Sequence, residues 1–239
     1  MDVIEDAARR PWHGYWSTYD ALIAFAPLGK RILVPGCGFG DDAIRLARLG
    51  ADVCASDLSP DIVEIARHRA VAMAVPNIRF DVLPAERMDY PDDSFDLVFF
   101  NDILHHVDIP ATLAEARRVL RPGGTLIANE LYTHSALQSV RETRFVHDVL
   151  YPRLVRFVYG TNRPYITEDE HKLDERELAM LRGVLGPDVR TTYFLLLAGR
   201  LAPTYWPRLA SMDRYVLNLS DGIGRRLAGR VLVVGTIRK

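Results

Sequence analysis

Apolar residues along this chain follow two alternating rhythms. Short continuous runs, Ile32-Leu33-Val34, Val53-Cys54-Ala55 and the stretch 95–100, read as strands buried on both faces. Between them, apolar positions fall three and four residues apart, as one face of a helix requires. Ala43, Ile44, Ala47 and Leu49 do so after the first run, and Ile62, Ile65, Ala66 and Met73 within 60–73 after the second. The pattern continues with a strand at 77–82, a helix over 110–120 stopped by Arg121-Pro122-Gly123-Gly124, and a strand at 125–129. A helix over 174–185 and strands at 190–197 and 230–237 complete the series. Strands alternating with helices predict an α/β fold, a doubly wound, mostly parallel sheet of seven strands in one domain spanning 1–239.

The rhythm breaks in three places. Residues 1–29 precede the first strand and cluster Trp12, Tyr15, Trp16 and Tyr19. Residues 131–173 form an aromatic and basic insertion after strand five, with Tyr132, His134, Arg144 and Tyr165. Within 174–239, Tyr205, Leu209, Met212, Val216 and Leu219 recur at helical spacing, a core stripe or the face of a partner helix in a homodimer.

Charge and cysteine content narrow the function classes. Thirty Lys and Arg stand against 31 acids, a formal net charge of −1, which offers nucleic acid no basic stripe. Cys37 and Cys54 are the two cysteines. They lack metal-ligand spacing and fit small apolar groups in a reducing cytoplasm. The start, Met-Asp-Val-Ile-Glu-Asp, lacks the basic-then-apolar layout of a secretory leader, and no apolar run is long enough to span a membrane.

Chemistry concentrates where the first strand meets its helix. Gly36, Gly38 and Gly40 form a turn whose backbone can take positive φ and approach a ligand closely, with helix amides beyond it as donors. Such turns are also built for structural reasons alone. The second strand ends in Asp57, followed by Ser59 as N-cap and Pro60 at the first helical position. A carboxylate about 20 residues past a glycine turn suits the two hydroxyls of a ribose. The alternative for Asp57 is a solvated strand end. A dinucleotide fingerprint is excluded by spacing, since no third glycine follows at the required interval, and Asp41-Asp42 would repel a pyrophosphate.

Gly36-Cys37-Gly38-Phe39-Gly40 resembles the first motif of class I S-adenosylmethionine-dependent methyltransferases. Val34-Pro35-Gly36-Cys37-Gly38 is similar to the variant in thiopurine- and thiol-methyltransferase-like members, and the likeness extends to about residue 130. The resemblance implies S-adenosylmethionine as cofactor, held by the glycine loop (Gly36, Cys37, Gly38, Gly40) and by Asp57. It places 84–96 around the adenine, with Ala85, and with Leu58 and Met88 packing on the base. The family's acid before that alanine is Pro84 here, so the adenine amino group falls to Glu86 or a nearby carbonyl. Many relatives carry an acid where this chain has Val34; Asp41 or Asp42 either compensates or caps the next helix.

Strand four of the family faces the methionyl end of the cofactor and the methyl group. Asn101 would bind that end, and His105 or His106 would act as general base, while one of such a pair commonly only buries against the sheet. No metal is expected. Residues 1–29 correspond to a lid, 30–130 to the cofactor half and 131–173 to an acceptor-side insertion. The acceptor residues would be Tyr15, Tyr19, Tyr132, His134 and Arg144, around a small aromatic or apolar molecule bearing a hydroxyl or carboxylate. The implied activity is methyl transfer. A non-methylating enzyme on the same fold, or a vestigial partner subunit, would share these motifs.

Overall fold

A computed structural model of the chain describes residues 14–75, 77–132, 143–144, 173–197 and 206–239, with backbone alone at 14–16 and 207. Seven strands form one sheet: β1 (Arg31–Pro35), β2 (Asp52–Asp57), β3 (Arg79–Val82), β4 (Phe95–Asn101), β5 (Leu120–Leu131), β6 (Arg190–Phe194) and β7 (Arg230–Thr236). Their order is β3-β2-β1-β4-β5-β7-β6, with β7 antiparallel to both its neighbours and the other pairings parallel.

Helices cover both faces, which is why β1 and β4 are apolar without alternation. On one face lie α1 (Gly14–Ala24), α2 (Asp41–Arg48) and α3 (Pro60–Ala72), burying Tyr19, Leu22, Ile44, Leu46 and Ala66 against Val34, Phe99 and Ile127. On the other lie α4 (Ile109–Val119) and α5 (Glu175–Gly183), with Leu113, Ala116, Leu178 and Leu181 against Val98, Phe100 and Leu126. Helices α3, α4 and α5 start where short polar side chains can accept orphan amides. Ser59 accepts from Ile62 N, Asp108 from Ala111 N, and Asp174 forms a full capping box with Glu177.

Two expectations shift. β5 begins at Leu120 rather than at 125, because Phe95 pairs with Leu120 and Leu97 with Thr125, so Arg121 to Gly124 is an irregularity within the strand. Gly123, at φ 75°, supplies the left-handed step. The second shift concerns α6 (Pro207–Leu217), which precedes α7 (Asp221–Leu227). Its buried side is Ala210, Asp213 and Leu217, whereas Met212 and Leu219 are exposed. The buried stripe is displaced by one residue because Asp213 points inward and accepts from the Leu197 amide at 2.7 Å. Tyr205 lies outside the described residues.

Candidate functional site

The loop after β1 is held open from both sides. Gly36, Gly38 and Gly40 all take positive φ, 63°, 50° and 81°, but for different reasons. A Cβ on Gly36 would lie 2.5 Å from the Ile103 side chain, and one on Gly40 would lie 3.1 Å from Ala66 Cβ. Those two glycines let the turn after β4 and helix α3 pack closely. Among the described residues a Cβ on Gly38 would meet no atom within 4 Å, so Gly38 faces open space where a ligand backbone can approach.

Asp57 sits opposite. Its Oδ2 accepts from Gly38 N at 3.0 Å and its Oδ1 from Ser59 N at 3.1 Å. A carboxylate offers about four acceptor positions, so roughly two remain, enough for the vicinal hydroxyls of a ribose. Cys37 between the glycines is buried, and burial together with the Asp57 charge pushes its thiol up to about 12. Leu58, 73% exposed, stands at the end of β2, with Phe39 in the glycine loop and Val82 at the end of β3 also exposed. Open Gly38, half-satisfied Asp57 and this exposed apolar rim suit an adenosyl group.

The adenine segment departs from expectation. Ala85 is buried in the core, and Met88 is 1% exposed within it, so Met88 presents no face to a base. The chain around Met88 is pinned from α4: Glu115 accepts from its amide at 2.7 Å and Arg118 donates to its carbonyl at 2.6 Å. Glu86 accepts from the Asp108 amide at 3.1 Å, which ties it to the start of α4.

At the end of β4 a buried polar chain crosses the sheet. Asn129 Nδ2 donates to Asn101 Oδ1 at 2.8 Å, and Asn101 Nδ2 donates to Asp42 Oδ2 at 2.8 Å. The Tyr19 hydroxyl donates to Asp42 and accepts from Arg45 at 2.9 Å. Burial raises the Asp42 carboxyl above the usual range, against the lowering effect of its Tyr19 and Asn101 hydrogen bonds. Asp41 instead pairs with Arg69 at 2.8 Å. Of the two acids weighed as substitutes at Val34, Asp42 is therefore the one beside β4.

The turn after β4 is strained and clamped. Asp102 has φ 55° and its amide donates to Asn129 O. Arg230 on β7 donates to Asp102 Oδ1 through both terminal nitrogens, at 2.9 and 2.6 Å. Glu130 at the end of β5 takes the rest of the turn: its Oε1 accepts from Ile103 N and Leu104 N at 2.9 and 2.8 Å, and its Oε2 meets His105 Nδ1 at 2.8 Å. His105 and Glu130 are buried, whereas His106 is exposed, its ring 4.1 Å from that of His105. Asp102, His105 and Glu130 offer ligand atoms within 4.8 Å of one another. The Arg230 fork on Asp102 and the hydrogen bonds on Glu130 make this trio a charge-compensated cluster. Neither Glu130 nor Arg230 stood out in the sequence. An acid closing the apolar run Leu126 to Ala128 was the available signal for Glu130; Arg230 is 128 residues from Asp102 and left none.

The expected acceptor residues divide. The Tyr19 ring is buried and its hydroxyl is committed to Asp42, which corrects its assignment to the acceptor. Tyr132 is likewise buried, and its hydroxyl donates to Glu175 at the start of α5. Burial and that carboxylate raise the phenol well above its ordinary value. Arg144 is exposed. Tyr15 belongs to α1, its side chain outside the described residues, and His134 lies outside them altogether.

Residues 33–128 match a family model described as "Methyltransferase domain". The chain is 37% identical over 131 residues to 27-O-demethylrifamycin SV methyltransferase of Amycolatopsis mediterranei, covering 48% of each chain. It is 31% identical over 167 residues to demethylmenaquinone methyltransferase of Tropheryma whipplei, covering 67% of this chain and 68% of that one. Across the first three curated relatives, including a Streptomyces halstedii methyltransferase, the match spans about half the relative's length. In fold it resembles a SAM-dependent methyltransferase of Archaeoglobus fulgidus, at TM-score 0.59 and 15% identity, with 94% of each chain covered. The glycine loop, the acid closing β2, the strand order and these matches agree, and the chain belongs to the class I S-adenosylmethionine-dependent methyltransferases.

Proposed function

We propose that this protein transfers the methyl group of S-adenosylmethionine to a small acceptor with an aromatic or apolar body. The observation that carries the reading is the Asp57–Gly38 pair, a carboxylate holding open a glycine whose outer side is empty. S-adenosylmethionine supplies an electrophilic methyl on a sulfonium. The chain's part is alignment and exclusion of water, effects worth several kcal/mol in such displacements. Gly36, Cys37, Gly38 and Gly40 form the loop for the cofactor, Asp57 binds its ribose, and Leu58 with Phe39 and Val82 flanks its adenine. Asn101, steered by Asp42 and Asn129, lies toward the methionyl end. Tyr15, His134, Arg144 and the exposed His106 are left for the acceptor. Relatives named for demethylmenaquinone and for 27-O-demethylrifamycin support a small-molecule acceptor. The near-neutral charge argues against a nucleic acid.

Purified protein gains thermal stability from S-adenosylhomocysteine by mass action, about 2.7 kcal/mol at a hundredfold excess over Kd, and none from NAD. Gly38→Val, which fills the open space, abolishes the gain. Incubation with methyl-labelled cofactor and a metabolite extract then moves label into a small molecule. Stabilisation by NAD alone overturns the cofactor assignment. Binding without transfer returns the chain to a non-methylating role.

A further inference from the structure

We propose that the cleft between α1, α6 and the β5-β7-β6 side of the sheet is a second ligand site, remote from the cofactor loop. Its ligand class is a small zwitterion with an apolar body, that is, an apolar α-amino acid. Such a site stands whether or not the chain transfers methyl groups.

Strand register builds the floor. Arg190, Val234 and Ile127 stand in one row across β6, β7 and β5. Thr192 and Leu232 pair in the next row, and Thr125 pairs with Thr236 on the other side. Side chains alternate between the faces of a sheet, so all of these share the face that buries Phe99 and Phe194. A face wholly covered by helices stays apolar. Here Ile127, Leu232 and Val234 keep that character, but Arg190, Thr192, Thr125 and Thr236 do not. The walls explain the change. Helix α1 turns Tyr19 and Leu22 into the core and leaves Asp20, Ala21 and Ala24 along the cleft. Arg214 of α6 closes the other side, its guanidinium 5.8 Å from the centre of the Phe194 ring. The space between them is about 480 Å³, within the roughly 300–1,000 Å³ of small-molecule sites.

The charges select the ligand. Among the described residues Asp20, Asp188, Arg190 and Arg214 border the cleft. The two signs balance, which suits a molecule carrying both charges better than a lone anion or cation. Asp20 and Arg214 have interactions of their own. Asp188 and Arg190 lie two residues apart where β6 begins, and among the described residues their side chains hold no hydrogen bond or ion pair, not even with each other. A guanidinium fork matches a carboxylate, and a carboxylate accepts from an ammonium. An α-amino acid presents both groups on one carbon. Its apolar body then has Phe25, Ala21 and Val234 to lie against.

Position separates this cleft from the cofactor. Thr125 pairs with Leu97 near the start of β4, Arg190 opens β6, and Thr236 closes the antiparallel β7. The cleft therefore lies toward the amino ends of the parallel strands. Asp57, Asn101 and the glycine loop lie at the carboxyl ends of β2, β4 and β1. A molecule in the cleft is thus neither the cofactor nor the group that meets its methyl.

Amide NMR of the full chain, titrated with L-phenylalanine and with L-leucine, tests the site without cofactor or methyl transfer. Saturable shifts are expected at Thr125, Arg190, Thr192 and Val234 but not at Gly38, which S-adenosylhomocysteine should move instead. Phenylacetate and 2-phenylethylamine each lack one charge of phenylalanine, and each should bind about fivefold more weakly or worse, the scale of one lost ion pair. Arg190→Gln and Asp188→Asn should weaken amino-acid binding by a similar factor and leave S-adenosylhomocysteine binding unchanged. Both side chains are exposed, so these variants should keep the fold. No saturable shift at the cleft with either amino acid would overturn the assignment. So would equal binding of a singly charged analogue, or unchanged affinity in both variants. If the amino acids move the cleft while S-adenosylhomocysteine fails to bind, the methyltransferase reading falls and the second site stands.

Discussion

At the scale of single residues, Asp57 and Cys37 show how neighbours set chemistry. Asp57 supports the glycine loop and the start of α3 through Gly38 N and Ser59 N while keeping acceptor capacity for a ligand. Asp57→Ala is expected to weaken S-adenosylhomocysteine binding by about 1–3 kcal/mol, the cost of unpaired hydroxyls and amides. It should lower the Tm slightly as well, because those two amides lose their partner. Calorimetric titration alongside thermal unfolding separates the effects, and unchanged affinity in a folded variant would remove Asp57 from the site. Cys37 stands in the same loop with its thiol pushed up to about 12, largely by burial. Thiolate is the reactive form, so native Cys37 should resist iodoacetamide at pH 8 and react once the protein is unfolded. Alkylation of the native protein, located by mass spectrometry, would refute that.

At the scale of elements, the glycine loop is a joint between three packed units. Gly36 is needed by the turn after β4, Gly40 by α3, and Gly38 by the open side. Gly36→Ala should therefore cost stability through overpacking on Ile103, about 1–3 kcal/mol, with the left-handed strain of about 1–2 kcal/mol in addition. Gly38→Ala bears the backbone strain without the collision, so it should unfold at a higher urea midpoint than Gly36→Ala. Equal midpoints would mean that Ile103 yields easily. The capping box of α5 was visible as Asp174-Glu175-Arg176-Glu177, because capping depends on residues three apart. The start of β5 was hidden. Arg121-Pro122-Gly123-Gly124 has the composition of a stop, and only pairing with β4 shows that strand bonding resumes across it.

At the scale of the molecule, the chain Tyr19–Asp42–Asn101–Asn129 ties α1 to α2, β4 and β5 beneath the site. Asp42 is a buried acid whose folded-state carboxyl is raised, mainly by desolvation. Its contribution to stability is therefore full below the ordinary aspartate value, roughly pH 3.9, and is lost as pH rises through the raised one. Asp42→Asn removes this titration. Above about pH 4, wild-type stability should fall relative to the variant as pH rises, measured by urea unfolding at several pH values. A constant difference across that window would show that Asp42 titrates normally. The described residues contain no helix long and apolar enough to cross a membrane.

Legibility followed the range of the interactions. The seven strands, the covering helices, the glycine turn and the acid closing β2 all rest on patterns within about 25 residues, and they were readable in order. Periodicity could not separate the two sides of α6, because Asp213 faces inward for a hydrogen bond from another segment. Nor could it tell that Met88, Tyr19 and Tyr132 are core residues rather than ligands, since burial depends on what packs over them. The sequence by itself determined the fold class and the glycine turn, through local spacing and backbone chemistry, and the family through the resemblance of its first motif. Tertiary structure alone decided which histidine meets a carboxylate and which acid lies beside β4. It also decided which glycine faces open space, because each of these turns on side chains brought together from distant strands.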